Sequence, residues 1–308
     1  MSAAKSQHRC QAPLQATEVT SPGIQSGFRG IGMSYFRYAK QQFLQKGYPE
    51  PLRRGLVLLE EKRIAASPFY KRHPYRGAMK LREVDLRCVV VPEHKVLYHR
   101  IPKNGNSSLV STMLNIFEGG ELAERIEDKR YSKKLVQNVS ELTQEQVADL
   151  GAFTKFLIAR NPYDRTLSAY LSKVVKRYPK LKAEHPLKRD VGRRDGDAPP
   201  DFASFCQYLR AGGLRSDPHW RPQHDYLVLP IGDYDYVARL ETIDSDFPRI
   251  VARIAPWRAG EKLVREDAPH RTSAASKRSQ FYCDDTYAMV AELFARDFET
   301  FGYDPNER

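Results

Sequence analysis

Four residues suited to holding an anion fall between an alternating apolar run and a helical apolar pattern, in "VLYHRIPKNGNSSLVSTMLN", residues 96–115. They are Lys103, Gly105, Ser107 and Ser108. The glycine lets the backbone approach a ligand closely, and the serines add hydroxyl donors. The start of a helix adds a partial positive charge and unpaired N–H groups. We therefore predict that this turn holds a phosphate or sulfate group.

The order of these residues differs from that of a P-loop. In GxxxxGK[ST] the lysine follows the second glycine, whereas here Lys103 precedes Gly105. An ATP-dependent kinase, which would also need magnesium-binding carboxylates, is therefore the less favoured enzyme. A turn with serine caps and no ligand is the simplest alternative. The predicted cradle consists of Lys103, Asn104, Gly105, Asn106, Ser107 and Ser108.

A second strand, turn and helix follows in "KFLIARNPYDRTLSAYLSK", residues 155–173. Arg160 ends the apolar run, and a helix begins at "NP" because asparagine is a good N-cap and proline suits the first helical position. Ser168 lies two turns into this helix, on a face that Arg160 could share. We predict a second anion site at Arg160 and Ser168, although Arg160 could instead pair with Asp164.

Strands alternate with helices along the chain. The stretch 86–101 predicts a hairpin that turns at 92–94, and residues 155–160 and 234–241 predict two further strands. Helical patterns follow residues 108 and 161, and others cover 201–213 and 286–298. The fold class is therefore α/β: a P-loop-like, mostly parallel central sheet flanked by helices. Ligands bind at the carboxyl ends of such strands, so both anion sites should hold one bis-phosphorylated nucleotide.

Three regions are expected along the chain. Residues 1–28 predict a flexible tail, 29–84 a basic helical extension, and 85–308 the catalytic domain. The extension has one amphipathic pattern from Tyr35 to Leu44 and a second helix from Leu52 to Ala66. These helices either pack on the main domain or contact a membrane surface peripherally.

The composition restricts the partners and the compartment. The 308 residues carry a net charge of +12, which attracts polyanions. No DNA- or RNA-binding motif is visible, so nucleic acid is not expected. The sequence has no apolar run long enough for a transmembrane helix, and its start does not resemble a secretory signal. The four cysteines lie far apart, which predicts free thiols, no metal site and a cytoplasmic protein.

Several stretches resemble one enzyme family. "RIPKNGNSSL" is similar to the 5′-phosphosulfate loop of sulfotransferases, and "RNPYDRTLSAYLSK" is similar to their 3′-phosphate site. "HWRPQHDY", "YDYVARLETIDSDF" and "FARDFETFGYD" resemble later segments of the carbohydrate sulfotransferases that include the chondroitin 4-O-sulfotransferases. The resemblance covers about residues 85–304. It implies that the donor is 3′-phosphoadenosine 5′-phosphosulfate and that the acceptor is a carbohydrate hydroxyl, with no metal required.

The resemblance also implies roles for single residues. Lys103 would stabilise the charge that develops on the bridging oxygen of the donor, while Arg160 and Ser168 would hold its 3′-phosphate. The acceptor hydroxyl must lose a proton, and His219 is the predicted general base.

Alternatives for the base and the acceptor site stay open at this point. Rival bases are His224, His99 and Glu241. Predicted acceptor-binding residues are Arg221, Gln223 and Glu241, with Trp220 stacking on a sugar ring or packing in the core. The excess positive charge favours an acidic glycan as acceptor. The non-enzymatic alternative is a polyanion-binding module without catalytic activity.

Overall fold

A computed structural model of the chain describes residues 49–118, 137–178, 186–190, 198–263 and 274–307. Its sheet, in the part of the chain thus described, has the order β1-β2-β3-β4. The strands are β1 (Cys88–Val91), β2 (Val96–His99), β3 (Thr154–Ala159) and β4 (Tyr236–Arg239). β1 is antiparallel to β2, and β2, β3 and β4 are parallel. The predicted hairpin and mostly parallel sheet are confirmed, although β4 is shorter than the predicted 234–241.

Helices connect and cover these strands. A π-helical segment, Tyr170–Val175, continues the helix that follows β3. The described α-helices are α1 (Glu50–Ala65), α2 (Pro68–Arg72), α3 (Leu81–Asp85), α4 (Asn106–Glu118), α5 (Gln144–Ala148), α6 (Pro162–Ala169), α7 (Pro186–Asp190), α8 (Phe202–Arg210), α9 (Ile243–Ile254), α10 (Arg278–Phe281), α11 (Asp284–Leu293) and α12 (Ala295–Phe301).

The sheet separates two hydrophobic cores because successive side chains of a strand point to opposite faces. Tyr98 and Phe156 are register partners, stack with ring centroids 5.0 Å apart and pack with residues of α4 and α9. Leu97 and Leu157 belong to the other core, with residues of α6, α8 and α11. Both faces are thus covered, as the alternation of strands and helices predicts.

The helical extension shares the second of these cores. Ile64 of α1, Phe69 of α2 and Val84 of α3 are buried in the same cluster as Leu97 and Leu157. The predicted helix from Leu52 to Ala66 is confirmed as α1 and packs on the main domain. The predicted tail and the first amphipathic pattern lie outside the described residues.

One predicted helix is corrected. The helix expected over 286–298 is two helices, α11 and α12, that meet at Phe294, where φ is −114° and ψ is 19°. Phe294 is buried, so its packing in the core fixes this change of direction. Among the described cysteines, Cys88, Cys206 and Cys283 are free thiols.

The N-cap of α8 provides a test of local stability. The Asp201 carboxylate accepts a hydrogen bond from the backbone N–H of Ser204 at 2.7 Å. Asp201→Ala should lower the free energy of unfolding by about 1 kcal/mol, because one N–H group of the first turn loses its partner. Urea unfolding measures the change. Asp201→Asn keeps an acceptor oxygen and should stay close to wild type; an equal loss in both variants would contradict the capping role.

Candidate anion-binding and catalytic site

The loop between β2 and α4 contains two residues with positive φ. Lys103 and Gly105 have φ values of 74° and 76°, in the left-handed region. Glycine adopts this region without penalty, but a lysine does so at a cost of about 1–2 kcal/mol. A Cβ atom at Gly105 would lie 3.1 Å from Leu240 Cδ1. The conformation of the loop therefore favours glycine at position 105 and carries a free-energy cost at Lys103.

The residues that end the loop begin α4. Asn106 is the first helical residue, and its Oδ1 accepts a hydrogen bond from the buried Tyr98 hydroxyl at 3.1 Å. Ser107 is exposed and Ser108 is half-buried in the first turn. Thr112 Oγ1 donates to the Ser108 carbonyl at 2.8 Å, which stabilises this turn. The first turn of α4 thus faces the end of the sheet where an anion was predicted.

The second unit forms at the end of β3, as predicted. Asn161 is the N-cap of α6, and its side chain accepts from the Tyr163 N–H at 2.9 Å, with Pro162 at the first helical position. Arg160 is partly buried just before this cap. Ser168 is only 1% exposed and lies inside the packing of α6.

The two units touch each other. Arg160 Nη1 donates to the carbonyl oxygen of Lys103 at 3.0 Å, and Arg165 Nε donates to the carbonyl of Pro102 at 3.0 Å. Both contacts form because β2 and β3 are adjacent and parallel, so their carboxyl ends lie at the same edge. The two turns therefore lie in contact at one edge of the sheet, and their sharing of one ligand stays a prediction.

Lys103 lies among other cations. Its ammonium donates to Ser172 Oγ at 2.7 Å. Burial, together with the positive charges of Arg160, Lys173, Arg165 and Lys176, lowers the pKa of Lys103 to about 7. Burial also lowers the pKa of Lys173. A bound anion would favour the charged form of each lysine, so the cluster has the electrostatics of an anion site.

The predicted base His219 is paired with a carboxylate. Asp217 Oδ1 lies 2.6 Å from His219 Nδ1 and accepts from the His219 backbone N–H at 2.7 Å. Burial lowers the pKa of His219 despite this carboxylate, and the charges of Lys173 and Lys103 act in the same direction. The neutral ring therefore carries its proton on Nδ1, toward Asp217, and presents Nε2 as the basic nitrogen.

The other two histidines are held in structural contacts. His224 uses both ring nitrogens, with Nδ1 at 2.7 Å from Asp297 Oδ1 and Nε2 at 3.3 Å from Asp225 Oδ1. His99 is fully buried, and its Nδ1 lies 2.9 Å from the Tyr234 hydroxyl. Burial lowers the pKa of His99 to about 3. His224 thus has internal partners at both ring nitrogens, and His99 has one at Nδ1.

Two of the predicted acceptor-binding residues, Gln223 and Glu241, have hydrogen-bond partners within the protein. The Gln223 side chain is fully buried and bonds to Asn104 and to the backbone of Arg160. Glu241 accepts from the Asn161 N–H at 2.8 Å and from the Tyr303 hydroxyl at 2.9 Å.

Arg221 and Trp220 also have internal partners. Arg221 donates to the Arg215 carbonyl at 2.7 Å, and its Nη1 lies 3.8 Å from Glu83 Oε2. Trp220 is 2% exposed, donates to the Gly213 carbonyl at 3.0 Å and packs edge-on against Phe205. The sugar-stacking alternative for Trp220 is therefore corrected to core packing.

Sequence reasoning missed four residues of this site: Arg165, Ser172, Lys173 and Asp217. Ser172 and Lys173 lie in the π-helical segment, a feature that is frequent at functional sites but has no simple sequence signature. Asp217 precedes His219 by two residues, and this Asp-x-His spacing was the available signal. Arg165 lies four residues after the N-cap Asn161, and its position near Arg160 in the sequence was the signal that could have identified it.

The described residues contain no group of three or more His, Cys, Asp or Glu side chains that could hold a metal ion. Among the same residues, no helix combines the length and the apolar character that crossing a bilayer requires.

The chain is similar to several known proteins. Carbohydrate sulfotransferase 10 of Xenopus laevis is 24% identical over 258 residues, which cover 70% of this chain and 67% of that protein. Carbohydrate sulfotransferase 11 of Rattus norvegicus is 24% identical over 240 residues, covering 71% and 68%. For human carbohydrate sulfotransferase 8, the identity is 27% over 215 residues, covering 61% and 47%. No solved structure matches the chain. The profile of the sulfotransferase family matches residues 86–304, and the chain belongs to that family.

Proposed function

We propose that this protein transfers a sulfuryl group from 3′-phosphoadenosine 5′-phosphosulfate to a hydroxyl group of a carbohydrate. The observation that carries this proposal is the 3.0 Å hydrogen bond from Arg160 to the Lys103 carbonyl, because it joins two anion-binding units at one edge of the sheet. The names of the similar sulfotransferases support a carbohydrate acceptor.

The residues present fit this donor. The cradle from Lys103 to Ser108 would take the 5′-phosphosulfate, and Arg160 would take the 3′-phosphate. Ser168 is the deeper of the two predicted 3′-phosphate residues, since it is 1% exposed. The lowered pKa of Lys103 shows that burial and neighbouring positive charge act against its ammonium form. A polyanionic ligand relieves this repulsion.

Lys103 stabilises the leaving group. The donor supplies an activated sulfuryl group, and negative charge builds on the bridging oxygen as its bond to sulfur breaks. The Lys103 ammonium lies 2.7 Å from Ser172 Oγ, and Lys103 is the charged residue among positions 103–108 of the cradle. Preorganised donors of this kind typically change rates by roughly 10²–10³-fold.

His219 removes the acceptor proton. Its Nε2 accepts the hydroxyl proton while the acceptor oxygen attacks sulfur in line with the leaving oxygen. Asp217, at 2.6 Å from Nδ1, keeps the ring in the reactive tautomer and stabilises the imidazolium that forms. This assignment leaves His224, His99 and Glu241 with the positioning contacts described above.

An acidic glycan is the acceptor that we favour. Lys173 lies beside His219 and Lys103, and Lys176 and Arg177 are exposed at the end of the same π-helical segment. With the net charge of +12, these groups attract acidic chains toward the reacting atoms. The cytoplasmic location expected from the sequence stays a prediction.

Loss of the Lys103 ammonium should slow transfer. We expect Lys103→Ala to lower kcat roughly 10²–10³-fold, measured as radiolabelled sulfate passed from the donor to a panel of glycans. The matched control is Lys95→Ala, which removes an exposed lysine paired with Asp149 at 2.9 Å before β2. Full turnover by Lys103→Ala would remove its assigned role.

Donor binding should depend on pH through Lys103. Its pKa is about 7 in the free protein, so the lysine loses its charge as pH rises above 7. We therefore expect the affinity for 3′,5′-bisphosphoadenosine to fall from pH 7 to pH 9 and binding to take up a proton. Calorimetry in buffers of different ionisation enthalpy measures this uptake. Lys103→Arg, which stays charged, should abolish it; equal uptake in that variant would contradict the assignment.

Asp217 should shift the acid limb of the pH profile. Its carboxylate raises the pKa of His219 against the effect of burial. Asp217→Asn should therefore lower that pKa, so the acid limb of kcat/KM moves to lower pH while kcat falls. His219→Ala should lose the acid limb altogether. The control is His94→Ala, which removes an exposed histidine of the β1–β2 turn and should keep the wild-type profile. An unchanged limb in both Asp217→Asn and His219→Ala would show that another group is the base.

A further inference from the structure

The side-chain amide of Gln223 lies between the two anion-binding units and is fully buried. Its Oε1 accepts hydrogen bonds from Asn104 Nδ2 at 2.7 Å and from the Arg160 backbone N–H at 3.0 Å. Its Nε2 donates to the Arg160 carbonyl at 2.8 Å. One amide thus contacts the cradle through Asn104 and the second unit through both main-chain groups of Arg160.

The geometry of this contact depends on the amide. Bonding to the N–H and the C=O of one residue is the pairing that a neighbouring strand would make, and it requires a donor and an acceptor side by side. Asn104 completes the link, because its Nδ2 also donates to the carbonyl of Ile158 in β3 at 2.7 Å. An ionised glutamate at position 223 has no hydrogen-bond donor, and a methionine of similar length has neither a donor nor a strong acceptor.

Gln223 is itself fixed from the far end of the chain. Asp297 of α12 is fully buried, and its Oδ2 accepts from the Gln223 backbone N–H at 2.7 Å. Its Oδ1 accepts from the His224 backbone N–H at 2.9 Å. The backbone at Gln223 is therefore anchored by a contact that lies outside both loops.

We propose that Gln223 is a positioning residue that sets the spacing between Lys103 and Arg160, so that one bisphosphate is held at both ends simultaneously. This inference rests on the proposed function. Each unit has its own charge and backbone groups, so each binds its own phosphate. The gain from binding both phosphates on one molecule depends on the distance between the units, which the amide determines.

Calorimetry with three nucleotides tests this proposal on the full chain. The ligands are 3′,5′-bisphosphoadenosine, 5′-AMP and 3′-AMP, and the proteins are wild type and two neutral variants, Gln223→Met and Gln223→Asn. We expect both variants to bind the bisphosphate about 10- to 100-fold more weakly, as loss of buried hydrogen bonds at a linker suggests. Each monophosphate should change less than about threefold, because each unit alone keeps its groups.

A loss of stability alone would give a different pattern. Ser140→Ala removes a buried hydrogen bond to Asp85 of 2.7 Å outside the two loops, so it controls for destabilisation without a change in spacing. It should leave the preference for the bisphosphate at the wild-type value. Should Gln223→Met not fold, Gln223→Asn keeps an amide in this buried position but is one methylene too short to keep all three hydrogen bonds, and it should give the same selective loss.

Each remaining result decides between the two proposals. A wild-type protein that binds the bisphosphate no better than the monophosphates would overturn the proposed function. A wild type that prefers the bisphosphate, with variants that weaken all three ligands equally or none, would overturn the role of Gln223 alone.

Discussion

The site depends on two parallel strands that end side by side. β2 and β3 are adjacent and parallel. The loop that carries Lys103 and the turn that carries Arg160 therefore leave the sheet at the same edge. The Arg160–Lys103 hydrogen bond then joins them directly. If the two strands were antiparallel, these turns would lie at opposite ends of the sheet, and neither could contribute to a site for the other.

This arrangement places several positive charges close together in a largely buried region, where water solvates them poorly. Lys103 is largely buried beside Arg160, Arg165 and Lys173, and its pKa falls to about 7 as a result. Its backbone is also strained, with φ at 74°. The two hydrophobic cores offset such costs, which are typical of sites that must bind a charged ligand tightly.

Local patterns predicted the parts of the site that are close in sequence. The cradle, the N-cap at Asn161 and the adjacent strand ends follow from residue types within a few positions, because glycine, proline and asparagine have strong local preferences. Predictions for Gln223 and Glu241 missed their contacts because these contacts join residues 60 or more positions apart: Gln223 with Arg160 and Asn104, Glu241 with Tyr303 and Asn161. The local sequence does not determine the direction of such side chains, because it depends on packing between distant segments.

The carboxylates around the site explain how its positive charge is kept for a ligand. Asp297 accepts from the backbone of Gln223, Glu241 accepts from the backbone of Asn161, and Asp217 holds His219. Each carboxylate thus fixes the position of an N–H group or of the His219 ring. A carboxylate bound to Lys103 would instead neutralise the charge that the donor needs. Acidic side chains therefore hold the surrounding backbone and His219 in place, while basic side chains lie where the anion is predicted to bind. The side-chain amide of Gln223 is neutral, so it can lie between the two anion-binding units and set their spacing without adding charge of either sign.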